Sequence, residues 1–270
     1  KDYALKTKAS FCITTEKLAK YLPESTEKII VKSVLLELAK VLKKLYPIAD
    51  LDYPDISLKL SSRVKFKSVK FGNNVLVGKN VKIGRNTLVG PNTIIEHDVI
   101  VGKNCIIGPD VILKNSVIGD NVVIQSGCKI GLKGFGFIPI KNNNFKIPHI
   151  GRVLISNNVE IASSCTIDRG SVDDTEIGTN TYLDNQVHIA HNVKIGSNCM
   201  IAGQVGFAGS STIGNNVSIG GQAGISGHLT IGNNVKIGGG SGVVKDIEDN
   251  QIVMGYPAVP FKEFIKNWKK

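Results

Sequence analysis

No uninterrupted apolar stretch of 18 or more residues occurs in the chain, which excludes a membrane-spanning helix. Aromatic residues are few: one Trp, six Tyr and nine Phe. Whatever core forms must therefore come from Ile, Val and Leu. The five cysteines are odd in number, widely spaced and never form C-x-x-C, so neither a disulfide framework nor a zinc site is indicated. They read as small hydrophobes. Acidic residues are outnumbered, 22 against 33 Lys and Arg, for a formal net charge of +11. Such a balance suits nucleic acid, anionic lipid, an acidic protein partner or simply a solvated lysine-rich surface. No aromatics interleave with the basic residues and no binding motif is present, which argues against nucleic acid. The opening residues, Lys1-Asp2-Tyr3-Ala4, contain neither an apolar signal run nor an initiator Met. A cytosolic chain, or one whose beginning is missing, is expected.

What the chain has in abundance is a period of six. Aliphatic residues recur at Val77, Ile83, Val89, Ile95, Val101, Ile107 and Leu113. One residue is dropped before Ile118, Ile124 and Ile130, and a Gly- and Asn-rich loop precedes Ile155, Ile161 and Ile167. Four extra residues, Asp173 to Glu176, follow. The longest run then extends from Ile177 through Leu183, Ile189, Ile195, Ile201, Phe207, Ile213, Ile219, Ile225 and Ile231 to Ile237. The fifth place of each hexad is small or β-branched and takes four of the cysteines, Cys105, Cys128, Cys165 and Cys199. The fourth is often Asn, the non-glycine residue most at ease at positive φ. Each hexad is thus a short strand plus a corner, three close a triangular coil, and the coils stack as a parallel β-helix.

Residues 1–65 lack the period. Phe11–Thr14 and Ile29–Val31 read as strands, and Val34, Leu35, Leu38, Val41, Leu42 and Leu45 fall at helical spacing. The expected organisation is a partial α/β domain over 1–50, a linker over 51–65, a β-helix over 66–255 and a short basic helix over 256–270.

Stacking by 18 places candidate residues. His191, Gly209, Gly227 and Lys245 share one column, and Asn192, Ser210 and His228 the next. This predicts a groove between His191 and His228 with only Gly and Ser between them. His191 is a candidate general base, the Gly209 N–H an oxyanion donor, and Asp184, reaching from the same coil or from a neighbouring subunit, a carboxylate to orient the imidazole. The stretch from Ile195 to Val235 has no Asp, Glu, Lys or Arg, as suits a surface meeting an apolar chain or another subunit. A zinc site of His188, His191 and His228 is disfavoured because the spacing lacks an H-x-x-x-x-H pair. His97 and His149 have no supporting constellation.

Thr166-Ile167-Asp168-Arg169-Gly170, Asp173-Asp174-Thr175, Asp184-Asn185-Gln186 and Ile189-Ala190-His191-Asn192-Val193 together resemble the UDP-3-O-acylglucosamine N-acyltransferases of lipid A biosynthesis. So do Gly134-Phe135-Gly136-Phe137, Lys146-Ile147-Pro148, Gly151-Arg152-Val153 and Gly227-His228. The resemblance covers about 65–255. It implies a mainly β fold, a left-handed parallel β-helix assembled as a homotrimer with sites in the clefts between subunits. It also implies transfer, in the cytoplasm, of a 3-hydroxyacyl group from acyl carrier protein to the 2-amino group of UDP-3-O-acylglucosamine. The donor would carry the acyl group on 4'-phosphopantetheine; no metal or tightly bound cofactor is implied.

The resemblance makes His191 the catalytic histidine, Gly209 the oxyanion position, Asp184 the carboxylate paired with the base and His228 a contact to the nucleotide sugar. Lys245, Lys262 and Lys266 fall where the family docks its acidic carrier protein, and Gly242 where a bulky residue closes the acyl groove. Residues 1–50 become the remnant of a uridine-binding domain, with Tyr3 the last member of a Phe-x-x-Asn-x-x-Tyr segment whose start precedes Lys1. Another hexapeptide acyltransferase, either a UDP-N-acetylglucosamine O-acyltransferase or an acetyl-coenzyme A dependent sugar N-acetyltransferase, and a non-enzymatic structural β-helix are the rival expectations.

Overall fold

The computed structural model describes residues 2–61 and 65–255. They divide into two units, 2–53 with 135–149, and 54–61 and 65–134 with 150–255.

The larger unit is the left-handed parallel β-helix. Short strands, most of two residues, build three faces of ten, ten and eight strands. The inward positions of these strands are the sixfold series: Ile95, Ile107, Ile124, Ile161, Ile189 and Ile231 are all at most 1% exposed. In-register pairing of Ile189 with Phe207, and of Phe207 with Ile225, stacks them into continuous columns. At about 25 cal/mol per Å² of apolar surface removed from water, such columns are the main source of stability in a chain with so few aromatics.

The corners follow from the fourth place of the hexad. Asn74, Asn80, Asn86, Asn92, Asn104, Asn180, Asn198, Asn216 and Asn234 all have φ between 56° and 62°. Asn tolerates this left-handed conformation, and its amide earns a second role. Up one corner the Asn180 amide donates to Asn198 Oδ1, Asn216 to Asn234 Oδ1 and Asn234 to Asn250 Oδ1. The adjoining fifth place is closed by donors that satisfy corner carbonyls. Thr87 and Thr93 donate to Gly102 O and Gly108 O, and the thiols of Cys105, Cys128, Cys165 and Cys199 do the same to Gly119, Ala162, Asp184 and Gly214. These four cysteines are buried and free. Burial pushes the Cys105 and Cys199 thiols up from the ordinary value, which suits packing and not reactivity.

The smaller unit contains the parallel strand pair Phe11–Thr14 and Glu27–Ile30 and the helix Val34–Leu45. Ser33 caps that helix by accepting from Leu36 N–H. The second strand begins two residues earlier than its aliphatic residues suggest. Residues 135–149, within the span expected to be β-helix, belong to this unit as the hairpin Phe137–Ile140 and Asn143–Lys146. Conversely, residues 54–61 join the β-helix and do not act as a free linker: Lys59–Leu60 pairs with Leu76–Val77, and Asp55 accepts from His97 N–H. The expected basic helix over 256–270 lies outside the described residues. No described helix is long and apolar enough to cross a membrane.

Candidate active site

The histidine column exists as the period requires. Ser210 N–H donates to His191 O at 3.0 Å and His228 N–H to Gly209 O at 3.1 Å, so His191 and His228 lie on one corner two rungs, about 10 Å, apart. Asn192, Ser210 and His228 occupy the left-handed position of three successive coils, with φ of 61°, 62° and 61°. A histidine in that conformation is uncommon and holds the His228 ring at a strained, exposed corner.

Gly209 provides the bed for the imidazole. A Cβ added there would lie 2.7 Å from His191 Cε1 and 2.8 Å from Nε2, so only glycine admits the ring in its present place. The Gly209 N–H donates to no group among the described residues, whereas its neighbours Ala208 and Ser210 both donate to the backbone. An open N–H beside an imidazole is what an oxyanion would need.

The orientation of His191 comes from Asn192, a residue that sequence reasoning left as a corner. Asn192 Nδ2 donates to Asp173 O at 2.9 Å, which fixes Oδ1 as the acceptor end; Oδ1 accepts from Ser171 N–H and Ser171 Oγ–H. His191 Nδ1 lies 3.0 Å from that same Oδ1 and therefore carries the proton, leaving the Nε2 lone pair over Gly209. Asn192 is itself held by its backbone N–H on Thr175 Oγ1. The brace thus comes from 171–175, where the coil carries its extra residues. Lys194 ties that loop down through Asp173 and Glu176, and the Lys194 hydrogen bond holds the Asp173 carboxyl below its ordinary pKa.

Asp184 is not on this corner. It follows the strand Tyr182–Leu183, one corner and one whole face before His191, and its Oδ1 accepts from Asn185. It sits instead on the rim of a groove of about 820 Å³ on the neighbouring face, where Tyr182, Met200 and Ile252 are exposed. Within the chain, Asn192 holds the tautomer that Asp184 was expected to hold.

The remaining expected residues disperse. Lys245 is exposed in the His191 column, one coil beyond Gly227. Tyr3 is 95% exposed in the smaller unit. Lys262 and Lys266 lie outside the described residues. Of the run Gly238 to Gly242, Gly238 is covered by Met254 and Gly240 turns a corner at φ 67°, so the run does not form a groove. Gly242 faces outward with nothing within 4 Å, in register above Gly224 and Gly206. The glycine column of one face, not the glycine run of the sequence, makes the open surface. No three His, Cys, Asp or Glu side chains converge as a metal site among the described residues.

The family model described as bacterial transferase hexapeptide (six repeats) matches residues 80–115, 98–131 and 174–209. A UDP-3-O-acylglucosamine N-acyltransferase of Legionella pneumophila is 54% identical over 82 residues, 30% of this chain and 24% of the relative. One from Rhizobium rhizogenes is 52% identical over 79 residues, 29% of this chain and 22% of the relative. The matched segment thus spans less than a quarter of these relatives' length. Among solved structures, the UDP-N-acetylglucosamine O-acyltransferase of Moraxella catarrhalis aligns over 73% of this chain and 77% of its own, with 29% identity and a TM-score of 0.52. The UDP-N-acetylglucosamine acyltransferase of Campylobacter jejuni covers 66% and 68%, at 22% identity and a TM-score of 0.57, and shares the fold.

Proposed function

We propose that the chain is an N-acyltransferase of lipid A biosynthesis, moving a 3-hydroxyacyl group from acyl carrier protein to the 2-amino group of UDP-3-O-acylglucosamine. The observation that carries the reading is the Asn192–His191–Gly209 arrangement, an oriented imidazole with its Nε2 over an unpaired backbone N–H. The high identity of the matched segment to N-acyltransferases supports the choice of acceptor.

The chemistry closes without any further group. His191 Nε2 removes a proton from the sugar amine as its nitrogen attacks the thioester carbonyl carbon. The carbonyl oxygen becomes an oxyanion facing the Gly209 N–H. Collapse breaks the C–S bond, and the imidazolium returns its proton to the departing phosphopantetheine thiolate, giving an amide and a thiol. His228, two rungs up the same column, is assigned to the nucleotide sugar. The carrier protein is acidic and the chain basic, and Lys245, exposed in the His191 column, is assigned to receive it.

The test is turnover of UDP-3-O-acylglucosamine with acyl-loaded carrier protein. His191→Ala should cost about 10²–10⁴-fold in kcat, with melting behaviour unchanged; activity within a few-fold of the parent overturns the assignment. A second reading, O-acylation of UDP-N-acetylglucosamine, is favoured by the alignment over 77% of the Moraxella enzyme. Acceptor choice separates the two, because one reaction consumes a 2-amine and the other a 3-hydroxyl.

A further inference from the structure

The positive charge of the chain is gathered at one end of the β-helix. Residues 54–85, its capping strand and first coil, hold eight of the 33 Lys and Arg against one acidic residue, Asp55, a net +7 out of +11. The seven described cations among them, from Lys59 to Arg85, are all exposed. Farther up the coils lysines are partnered: Lys103 with Asp120, Lys114 with Glu96, and Lys194 with Asp173 and Glu176. The seven basal cations form no such ion pair among the described residues, and Asp55 is committed to the backbone N–H groups of Ser57 and His97. Like charges crowded at one end repel, and an anionic partner would relieve that repulsion.

Apolar side chains are mixed with this charge. Ile56 is 93% exposed and Leu60, beside Lys59, 68%. Next to Leu60 a cavity of about 450 Å³ is lined by Lys59, Lys65 and Lys79 around Leu60, Phe66 and Val77, with no carboxylate among the described residues. Two faces of the β-helix also end here, in the open strands Lys70–Phe71 and Lys82–Ile83. Lysine on an open strand discourages pairing with another chain, which accounts for Lys70 and Lys82. It does not account for Ile56 and Leu60, which promote association. Bare aliphatic tips among ammonium groups are the composition of a surface that lies in a lipid headgroup layer. Nucleic acid and protein partners are held on exposed aromatics, and neither Phe66 nor Phe71, the aromatics of this end, is exposed.

We propose that the basal end of the β-helix docks on an anionic phospholipid surface, its lysines on the lipid phosphates and Ile56 and Leu60 among the uppermost acyl carbons. Lys59, Lys65 and Lys79 take one headgroup phosphate at the mouth of the cavity. The docking is independent of the acyl-transfer reading, because it rests on charge and exposure at an end five rungs, about 24 Å, from the histidine corner. A headgroup layer is about 6 Å deep, so the corner stays clear of it.

The experiment is vesicle flotation of the full chain with phosphatidylcholine alone and with phosphatidylcholine containing phosphatidylglycerol. The basal variants are the triple Lys59→Gln, Lys65→Gln, Lys79→Gln and the double Ile56→Ser, Leu60→Ser. The triple Lys17→Gln, Lys20→Gln, Lys32→Gln in the smaller unit loses the same charge elsewhere. Every one of these side chains is exposed, so melting temperatures should match the parent's. The parent should bind the anionic vesicles only, and release them in high salt. The basal triple should lower partitioning about a hundredfold, at about fivefold per lysine, while the control triple stays within a few-fold of the parent. The double should lower it at least about tenfold. Equal binding to both vesicles, unchanged binding in either basal variant, or an equal loss in the control overturns the proposal. So does a parent that binds neither vesicle; if the basal triple then also loses affinity for acyl carrier protein, the lysines serve an acidic protein instead.

Discussion

Gly209→Ala isolates the placement of the imidazole from every other part of the site. The backbone at Gly209 is not left-handed, since the described glycines with positive φ are Gly127, Gly131 and Gly240, so alanine is conformationally admissible there. On the unfolded side the substitution is worth about 0.4–1 kcal/mol of stabilisation. The added methyl would lie 2.7 Å from His191 Cε1, whereas carbon atoms rest at about 3.5–4.0 Å, so the ring must retreat by roughly 0.8 Å or more. The ring is half-buried, so it can swing outward and the fold need not suffer. Catalysis should. A displacement near 1 Å costs on the order of 10²-fold when the displaced group handles the proton. The variant keeps the Gly209 backbone N–H, so the loss reports the base and not the oxyanion donor. The expected outcome is kcat/KM down about a hundredfold with a melting temperature within a few degrees of the parent, measured by thioester consumption and thermal denaturation. Turnover within threefold of the parent would show that the imidazole does not react from the position over Gly209.

Asn192→Ala removes the acceptor for His191 Nδ1–H and unties the loop 171–175; kcat should fall at least about tenfold with KM for the sugar little changed, and a KM effect alone would refute the orienting role. Gly242→Met places a side chain at the far end of the glycine column, so preference should move to shorter donors by about fourfold per methylene lost from that column, and an unchanged chain-length profile in an active variant would refute the path. Lys245→Glu should raise KM for acyl carrier protein and flatten the salt dependence of the parent; an unaffected KM would leave Lys245 as a solvated surface charge. The Asp173 carboxyl is depressed in the folded chain, so its contribution to stability is present above the unfolded value of about 3.9 and is lost as pH falls through that region toward the folded value. The effect is small because the side chain is 71% exposed. Melting curves of the parent and Asp173→Asn should converge below about pH 4, and curves that stay parallel would refute it.

The columns were readable from sequence because an inward side chain in a coil has one requirement, to fill a triangular core, and Ile189 or Ile201 meets it wherever it stands. Corners were readable for the same reason, Asn being the side chain that suits positive φ. The histidine corner followed by counting, since His191 and His228 are separated by coils of constant length. What counting missed depended on departures from the period. Asn192 acts through Ser171, Asp173 and Thr175, which approach it only because their coil carries extra residues. Asp184 stands seven residues before His191, one hexad and a step, which turns the chain past a corner and rules out a pairing within one coil. Gly238 and Gly242 looked alike in a glycine run although one faces Met254 and the other solvent. The excursion 135–149 was lost because a hairpin that leaves the coil obeys no repeat at all.

The stacking of Gly206, Gly224 and Gly242 also sets how the length of the open surface can change. Each rung adds about 4.8 Å, and no fraction of a rung is available without breaking the register of the isoleucine columns. Coarse adjustment would therefore come in whole coils, added or removed at a corner where the chain already tolerates coils of unequal length. Fine adjustment would come from the size of the single outward side chain on a rung. A lineage of such chains would be expected to drift in acyl length by point substitution within each coarse step, and to jump only when a coil is duplicated.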